Sequence, residues 1–273
     1  REGGVWEVTK GLELRPAVST PEEIAAVVLA AHEPARLTLV IVNTVEKALG
    51  VHDALVSALK RPGKKGAAAT PAPAVTPDLR LVHSRFRGVE RALWATEFLH
   101  RRASIPVSGR IIVATQVVEA GVDLSAGLLV TELAPWASLV QRFGRLARYP
   151  GEGGTAIVVG APPDDAKKAL PYLVDELGAA AKALAGLGPD ASLRALERYE
   201  ERLTQADPEL LRALYHYDPI HVLRRVDLDD LFDTSPDLTG ADLDPSRYIR
   251  SGEDRDLLVF WRPCRDAPDR LDA

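Results

Sequence analysis

Between Leu37 and Gly160, short apolar or β-branched runs alternate with helix-length segments, and this alternation restricts the chain more than any other feature. The runs fall at Leu37–Val42, Leu79–His83, Arg110–Thr115, Gly127–Glu132 and Thr155–Gly160. Helical spacing fills Glu46–Leu59, Glu90–Arg101 and Trp136–Ala147 between them. Strands this short and apolar are buried on both faces, which calls for parallel pairing and helical crossovers. The expected fold is α/β, a parallel sheet flanked by helices. In such sheets ligands gather at loops beyond the carboxyl ends of the strands, so chemistry is sought there. A further helix is signalled by Thr20-Pro21-Glu22-Glu23, a capping residue followed by proline and two acids.

After Pro162 the texture changes. Asp164–Leu187, Ala191–Thr204, Pro208–Tyr217 and His221–Phe232 read as helical. Asp233–Gly252 is turn-rich and Leu257–Trp261 reads as a short strand. A boundary near Pro162–Pro163 divides a sheet domain, 1–162, from a mainly helical C-terminal extension, 163–273. These helices either form an accessory domain or pack back onto the sheet. Arg61–Pro77, rich in Gly, Ala, Pro and Lys, reads as a loop or flexible insert.

Apolar residues make up 46% of the 273 and charged residues 27%, enough for a packed core. With a net charge of −5, any nucleic-acid contact must come from a local basic patch or backbone amides. The one cysteine, Cys264, excludes an internal disulfide and a cysteine-rich zinc site, and fits a reducing, cytoplasmic setting. No apolar run reaches about 18 residues and no signal-peptide pattern opens the chain, so no membrane partner is expected. The chain begins at Arg1 and lacks methionine, and it reads as part of a longer protein.

Two segments carry the chemistry. In Gln141-Arg142-Phe143-Gly144-Arg145-Leu146-Ala147-Arg148, a glutamine and three arginines fall on the segment with helical spacing. Arg145 and Arg148, three apart, are expected to share a helical face. Two planar guanidinium forks together suit an anion with several oxygens. Phe143 and Leu146 should turn toward the core. In the second segment, Ala114–Asp123, a strand ends at Thr115 and a Gly-containing turn comes after it. Thr115 can offer its hydroxyl and amide to a phosphate, Gly121 permits close backbone approach, and Asp123 can accept a ribose hydroxyl.

Alone each element is common; paired about two dozen residues apart, they resemble motifs V and VI of the second RecA-like domain of a superfamily 2 helicase. Their wording resembles the helicase–nuclease of type I CRISPR systems. Val42-Asn43-Thr44-Val45 and His83-Ser84-Arg85-Phe86-Arg87 match that family's motifs IV and IVa. The resemblance implies a RecA-like sheet and an ATP-dependent motor. It implies that Arg145 and Arg148 reach the γ-phosphate of ATP held by a preceding RecA-like domain, with Arg148 as the arginine finger. Gln141 would position water or phosphate, and Gly121 and Asp123 would face the ribose. Asn43, Thr44, Ser84, Arg85, Thr115 and Gln116 would hold single-stranded DNA. His83 either joins them or caps its strand. Mg²⁺ would be bound mainly by the preceding domain. The implied partners are single-stranded DNA, the N-terminal RecA-like and nuclease domains, and the CRISPR surveillance complex.

Other signals are set aside. Gly63-Lys64-Lys65 lacks the earlier glycine and following Ser or Thr of a P-loop. Leu173-Val174-Asp175-Glu176 reads as a solvated helix rather than an acid pair after a strand. Gly151-Glu152-Gly153-Gly154 reads as a turn, and His52-Asp53 lacks converging ligands for a metal. Two readings compete with the CRISPR motor: another superfamily 2 helicase, for repair or RNA work, and a non-catalytic binding or recruitment module.

Overall fold

A computed structural model describes residues 4–60 and 76–215, together with Arg225 and Leu228. The expected insert at Arg61–Pro77 lies, except for its last two residues, outside the described residues. So do Gly63-Lys64-Lys65, nearly all of the His221–Phe232 helix, the Asp233–Gly252 turns and the Leu257–Trp261 strand. Residues up to His216 form one compact unit.

Six strands form a single parallel sheet: β1 (Thr9–Arg15), β2 (Leu37–Ile41), β3 (Asp78–Val82), β4 (Arg110–Ala114), β5 (Leu128–Glu132) and β6 (Gly153–Val159). Their order is β1-β6-β5-β2-β4-β3. Every residue of β2 and β4 is buried, as continuous apolar runs in a covered parallel sheet require. On one face, α1 (Pro21–Ala31) and α2 (Val45–Lys60) bury Ile24, Val28, Val51 and Leu55 against Val40, Val113 and Val130. Thr20 caps α1: its hydroxyl accepts the Glu23 N–H at 3.3 Å, and the Glu23 carboxylate accepts the Thr20 N–H at 3.0 Å.

The other face carries α3 (Gly88–Glu97), α4 (Trp136–Phe143) and four helices after the sheet: α5 (Ala166–Ala169), α6 (Val174–Leu187), α7 (Leu193–Ala206) and α8 (Pro208–Leu214). Leu177, Leu184, Leu196 and Tyr199 share one core with Leu129, Trp136 and Phe143. The Trp136 indole N–H donates to Glu200 at 2.8 Å, and its ring lies 5.9 Å from that of Tyr199. Up to α8, therefore, the helices pack back onto the sheet. The single helix expected over Asp164–Leu187 is two, α5 and α6, with Pro171 between them, a residue that supplies no N–H to a helix.

The sequence reading gave no strand before Leu37, yet β1 completes the sheet beside β6. Its outer edge is partly covered. The Leu12 N–H donates to the Pro189 carbonyl and the Ala191 N–H to the Lys10 carbonyl, both at 2.8 Å. Lys10 is 9% exposed, and its Nζ donates to the Phe143 carbonyl at 2.8 Å. Burial, followed by the nearby Arg148 charge, lowers its pKa from 10.5 to about 8. The unfolded chain then holds one more proton than the folded chain between pH 8 and 10.5, so stability rises across that window. The penalty, about 3 kcal/mol at most, is fully present below pH 8 and relieved above 10.5. Urea midpoints should climb from pH 8 to 10 in the wild type. A curve equally steep in Lys10→Met would exclude Lys10 as the cause.

Candidate nucleotide and nucleic-acid site

The carboxyl tips of β2, β4 and β3 lie side by side, because these strands are neighbours in the sheet. Asn43 and Thr44 follow β2, Thr115 and Gln116 follow β4, and His83, Ser84 and Arg85 follow β3. All seven residues expected to meet nucleic acid thus form one row. Thr44 is half-buried and accepts the Lys47 N–H at 3.2 Å, which caps α2. Ser84 and Arg85 are exposed in a turn, where Arg85 pairs with Glu46 at 2.6 Å. Such an exposed pair contributes little and gives way easily to a phosphate.

His83 points inward. It is buried, its Nδ1 accepts the Arg85 N–H at 3.2 Å, and its ring lies 4.4 Å from that of Phe86. Burial, then the Arg85 guanidinium, holds its pKa below the ordinary imidazole value. It shapes the turn that presents Ser84 and Arg85. Thr115 and Asn43 are buried too. The Asn43 amide donates to the Leu133 carbonyl at 2.7 Å, and its oxygen accepts Arg142 at 3.1 Å. Gln116 Nε2 donates to the Asn43 carbonyl at 2.8 Å and to the Tyr172 hydroxyl at 3.2 Å.

Behind this row lies a residue that sequence reasoning gave no role of its own. Arg142 is 0% exposed. Its Nε donates to the Glu119 carboxylate at 2.7 Å. One terminal nitrogen donates to the Thr131 hydroxyl at 2.9 Å and the Glu132 carbonyl at 3.0 Å, the other to Asn43 and, at 3.3 Å, to Tyr172. Full desolvation of a guanidinium is tolerable only with its donors matched in this way. A signal was present: Trp136, Leu139 and Phe143 form the buried stripe of α4, and Arg142 lies on that stripe.

The nucleotide candidates lie elsewhere, beside the amino end of β5. The Ala126 N–H donates to the Arg145 carbonyl at 2.8 Å, the Ala147 N–H to the Ala126 carbonyl at 2.9 Å, and the Arg148 N–H to the Ser125 hydroxyl at 2.8 Å. The helix expected over Trp136–Ala147 stops at Phe143, so Arg145 and Arg148 do not share a helical face. Gly144 caps the helix, Leu146 leaves it to bridge Ala126, and Ala147 takes a positive φ of 40°. The two arginines converge for another reason: both turn toward the Val122 carbonyl, Arg145 at 2.6 Å and Arg148 at 3.5 Å.

Their surroundings differ. Arg145 spends its second terminal nitrogen on the Glu119 carbonyl at 2.5 Å, and its buried Nε has no partner. Burial, then Arg148, lowers its pKa. It braces the Glu119–Val122 turn. Arg148 is 40% exposed and meets the Asp123 carboxylate at 3.3 Å. Asp123 also accepts the Tyr149 hydroxyl at 2.5 Å, over whose ring the Arg101 guanidinium lies at 3.8 Å. Gly121, at φ 74°, is exposed, and a Cβ there would meet nothing within 4 Å. Gln141 is exposed on α4 and makes no side-chain hydrogen bond to either arginine.

Chemically, this cluster fits a polyphosphate. Arg148 is accessible and loosely held, so it can exchange long contacts for a phosphate oxygen at small loss. Among the described residues no three His, Cys, Asp or Glu side chains are grouped to hold a metal ion. No helix among them is long and apolar enough to cross a membrane.

The parallel sheet covered by helices on both faces is a RecA-like fold. Residues 34–151 match the family described as CRISPR-associated nuclease/helicase Cas3, C-terminal. A CRISPR-associated endonuclease/helicase Cas3 of Thermus thermophilus is 36% identical over 149 residues, 48% of this chain and 16% of that protein. A putative Cas3 of Myxococcus xanthus is 47% identical over 70 residues, 25% of this chain and 9% of that protein. The matched stretches thus span less than a fifth of these relatives. The crystal structure of a CRISPR-associated protein superposes with a TM-score of 0.55 at 26% identity, covering 81% of this chain and 24% of that one. T. fusca Cas3 with ADP gives 0.55 at 23% identity, over 75% of this chain and 25% of that one, and shows the fold.

Proposed function

We propose that the chain is the C-terminal half of an ATP-dependent single-stranded DNA translocase or helicase of CRISPR interference. ATP would bind in a cleft between a preceding RecA-like domain and this one, with Mg²⁺ held mainly by that domain. Arg148 would be the arginine finger, Arg145 its brace, and Gln141 a group that positions water or the γ-phosphate. Gly121 and Asp123 would face the ribose. The row from Thr44 to Gln116 would hold the DNA backbone, with Asn43 and His83 shaping it from behind. Residues 1–162 would form the motor domain, and 163–273 a helical C-terminal extension or accessory domain. The preceding nuclease domain and the surveillance complex would be partners, in the cytoplasm.

The observation that carries this reading is Arg148 itself. A partly exposed guanidinium beside a second one, facing a turn with an open glycine, has no packing role to explain it. The test combines this chain with the preceding RecA-like half and measures ATP hydrolysis with and without single-stranded DNA. DNA-stimulated hydrolysis by the mixture, with each half inert alone, is the expected result. DNA binding without hydrolysis in the mixture would favour a recruitment module instead.

Arg85 supplies a narrower prediction. It would contact phosphate, which positions the strand without reading its sequence. Arg85→Ala should weaken binding equally for all single-stranded sequences and reduce the salt slope of log affinity by about 0.7. Anisotropy titrations at several salt concentrations measure this. An unchanged slope removes Arg85 from the row.

A further inference from the structure

We infer that Lys10 is a positioning residue for the arginine pair, reaching from β1 to the last carbonyl of α4 and fixing where the chain turns toward Arg145 and Arg148. The inference rests on the arginine-finger reading above and adds a residue that touches neither nucleotide nor DNA.

The last carbonyls of a helix have no partner within it. At the end of α4 the Phe143 carbonyl accepts the Leu146 N–H at 3.2 Å and, more closely, Lys10 Nζ at 2.8 Å. A cation at a helix C-terminus is favourable, but a buried ammonium carries a desolvation cost that an apolar residue would avoid. Packing alone therefore does not account for lysine here. Its backbone is held on both sides: β1 pairs with β6, and the Ala191 N–H donates to the Lys10 carbonyl at 2.8 Å. Lys10 is thus a fixed post against which the end of α4 is set.

The arginine site begins directly beyond that helix end. Gly144 closes the helix, Arg145 turns to Glu119 and Val122, and Arg148 comes after Ala147 with its positive φ. A shift of the Phe143 carbonyl is carried through one glycine to Arg145. The charges that face Lys10 are Arg148 beyond α4, Glu152 before β6 and Asp190 after α6. The like charge of Arg148 favours its outward, accessible pose, and the two carboxylates keep the ammonium charged at neutral pH.

The experiment uses the full chain combined with the preceding RecA-like half, comparing wild type, Lys10→Met, Lys10→Gln and Arg148→Ala. Lys10→Met is expected to lower kcat for ATP at least tenfold, with KM within threefold and the unfolding temperature within a few degrees. The wild-type kcat should show an inflection near pH 8 that Lys10→Met lacks. If Lys10→Met does not fold, Lys10→Gln is judged by the same kcat, KM and pH criteria. A folded variant with kcat within twofold of wild type overturns the inference, as does a loss confined to KM. Should Arg148→Ala run at the wild-type rate, the arginine-finger reading falls. Should Arg148→Ala be slow while a folded Lys10 variant is not, only the role of Lys10 falls.

Discussion

Arg148→Ala should slow DNA-stimulated ATP hydrolysis by about 10³-fold in the combined assay, the lower end of what arginine fingers supply. It should do so without loosening the fold. The contacts of Arg148 are an exposed ion pair at 3.3 Å and a carbonyl at 3.5 Å, and exposed pairs contribute about 0–1 kcal/mol. Asp123 keeps the Tyr149 hydroxyl when the guanidinium is removed. Arg145→Ala is different, because it removes the arginine that braces the Glu119 carbonyl and leaves the Val122 carbonyl only the longer contact of Arg148. A rate loss at constant melting temperature thus separates Arg148 from Arg145. Equal rates for Arg148→Ala and wild type would show that the exposed guanidinium is not the finger.

Arg142→Met should produce the largest loss of stability, about 3–5 kcal/mol, as expected when one partner of a buried ion pair is removed. Glu119 would keep a carboxylate 11% exposed with its guanidinium gone. Asn43 Oδ1, the Thr131 hydroxyl and the Glu132 carbonyl would lose donors as well. Methionine fills much of the volume, so the loss reports the unpaired polar groups rather than a cavity. Urea unfolding should show a midpoint lower by roughly 1–3 M at ordinary slopes. A shift worth under about 1 kcal/mol would mean that the Glu119 site relaxes to water and that Arg142 does not tie the segments together.

The fold was legible where one physical requirement dominated. β2, β4 and β5 are buried in a covered sheet, so Leu39, Val40, Ile112, Val113 and Val130 stand as unbroken apolar runs. β1 gave no such run. It lies at the edge of the sheet, only Lys10 and Leu12 are buried, and Lys10 reads as a surface residue until its contact with Phe143 is known. The end of α4 was overrun because helical spacing continues through Leu146, whereas the chain is drawn off by Ala126, a partner that spacing does not disclose. Motif wording marked the site region well, but it treats the arginines alike. Burial separates Arg142, a structural tie, from Arg148, an accessible charge. The position beside the amino end of β5 was also hidden, because it depends on α4 running back along the sheet.

The two edges of the sheet offer a partner different surfaces. With Pro189–Ala191 bonded to Lys10 and Leu12, the first half of β1 has its outward backbone groups engaged. The opposite edge, β3, pairs only with β4 among the described residues. Asp78 and Arg80 stand on that strand, linked to each other at 2.8 Å, and Asp78 also holds Arg110 at 2.7 Å. A neighbouring domain or a second molecule that extended the sheet from β3 would meet a charged strand there.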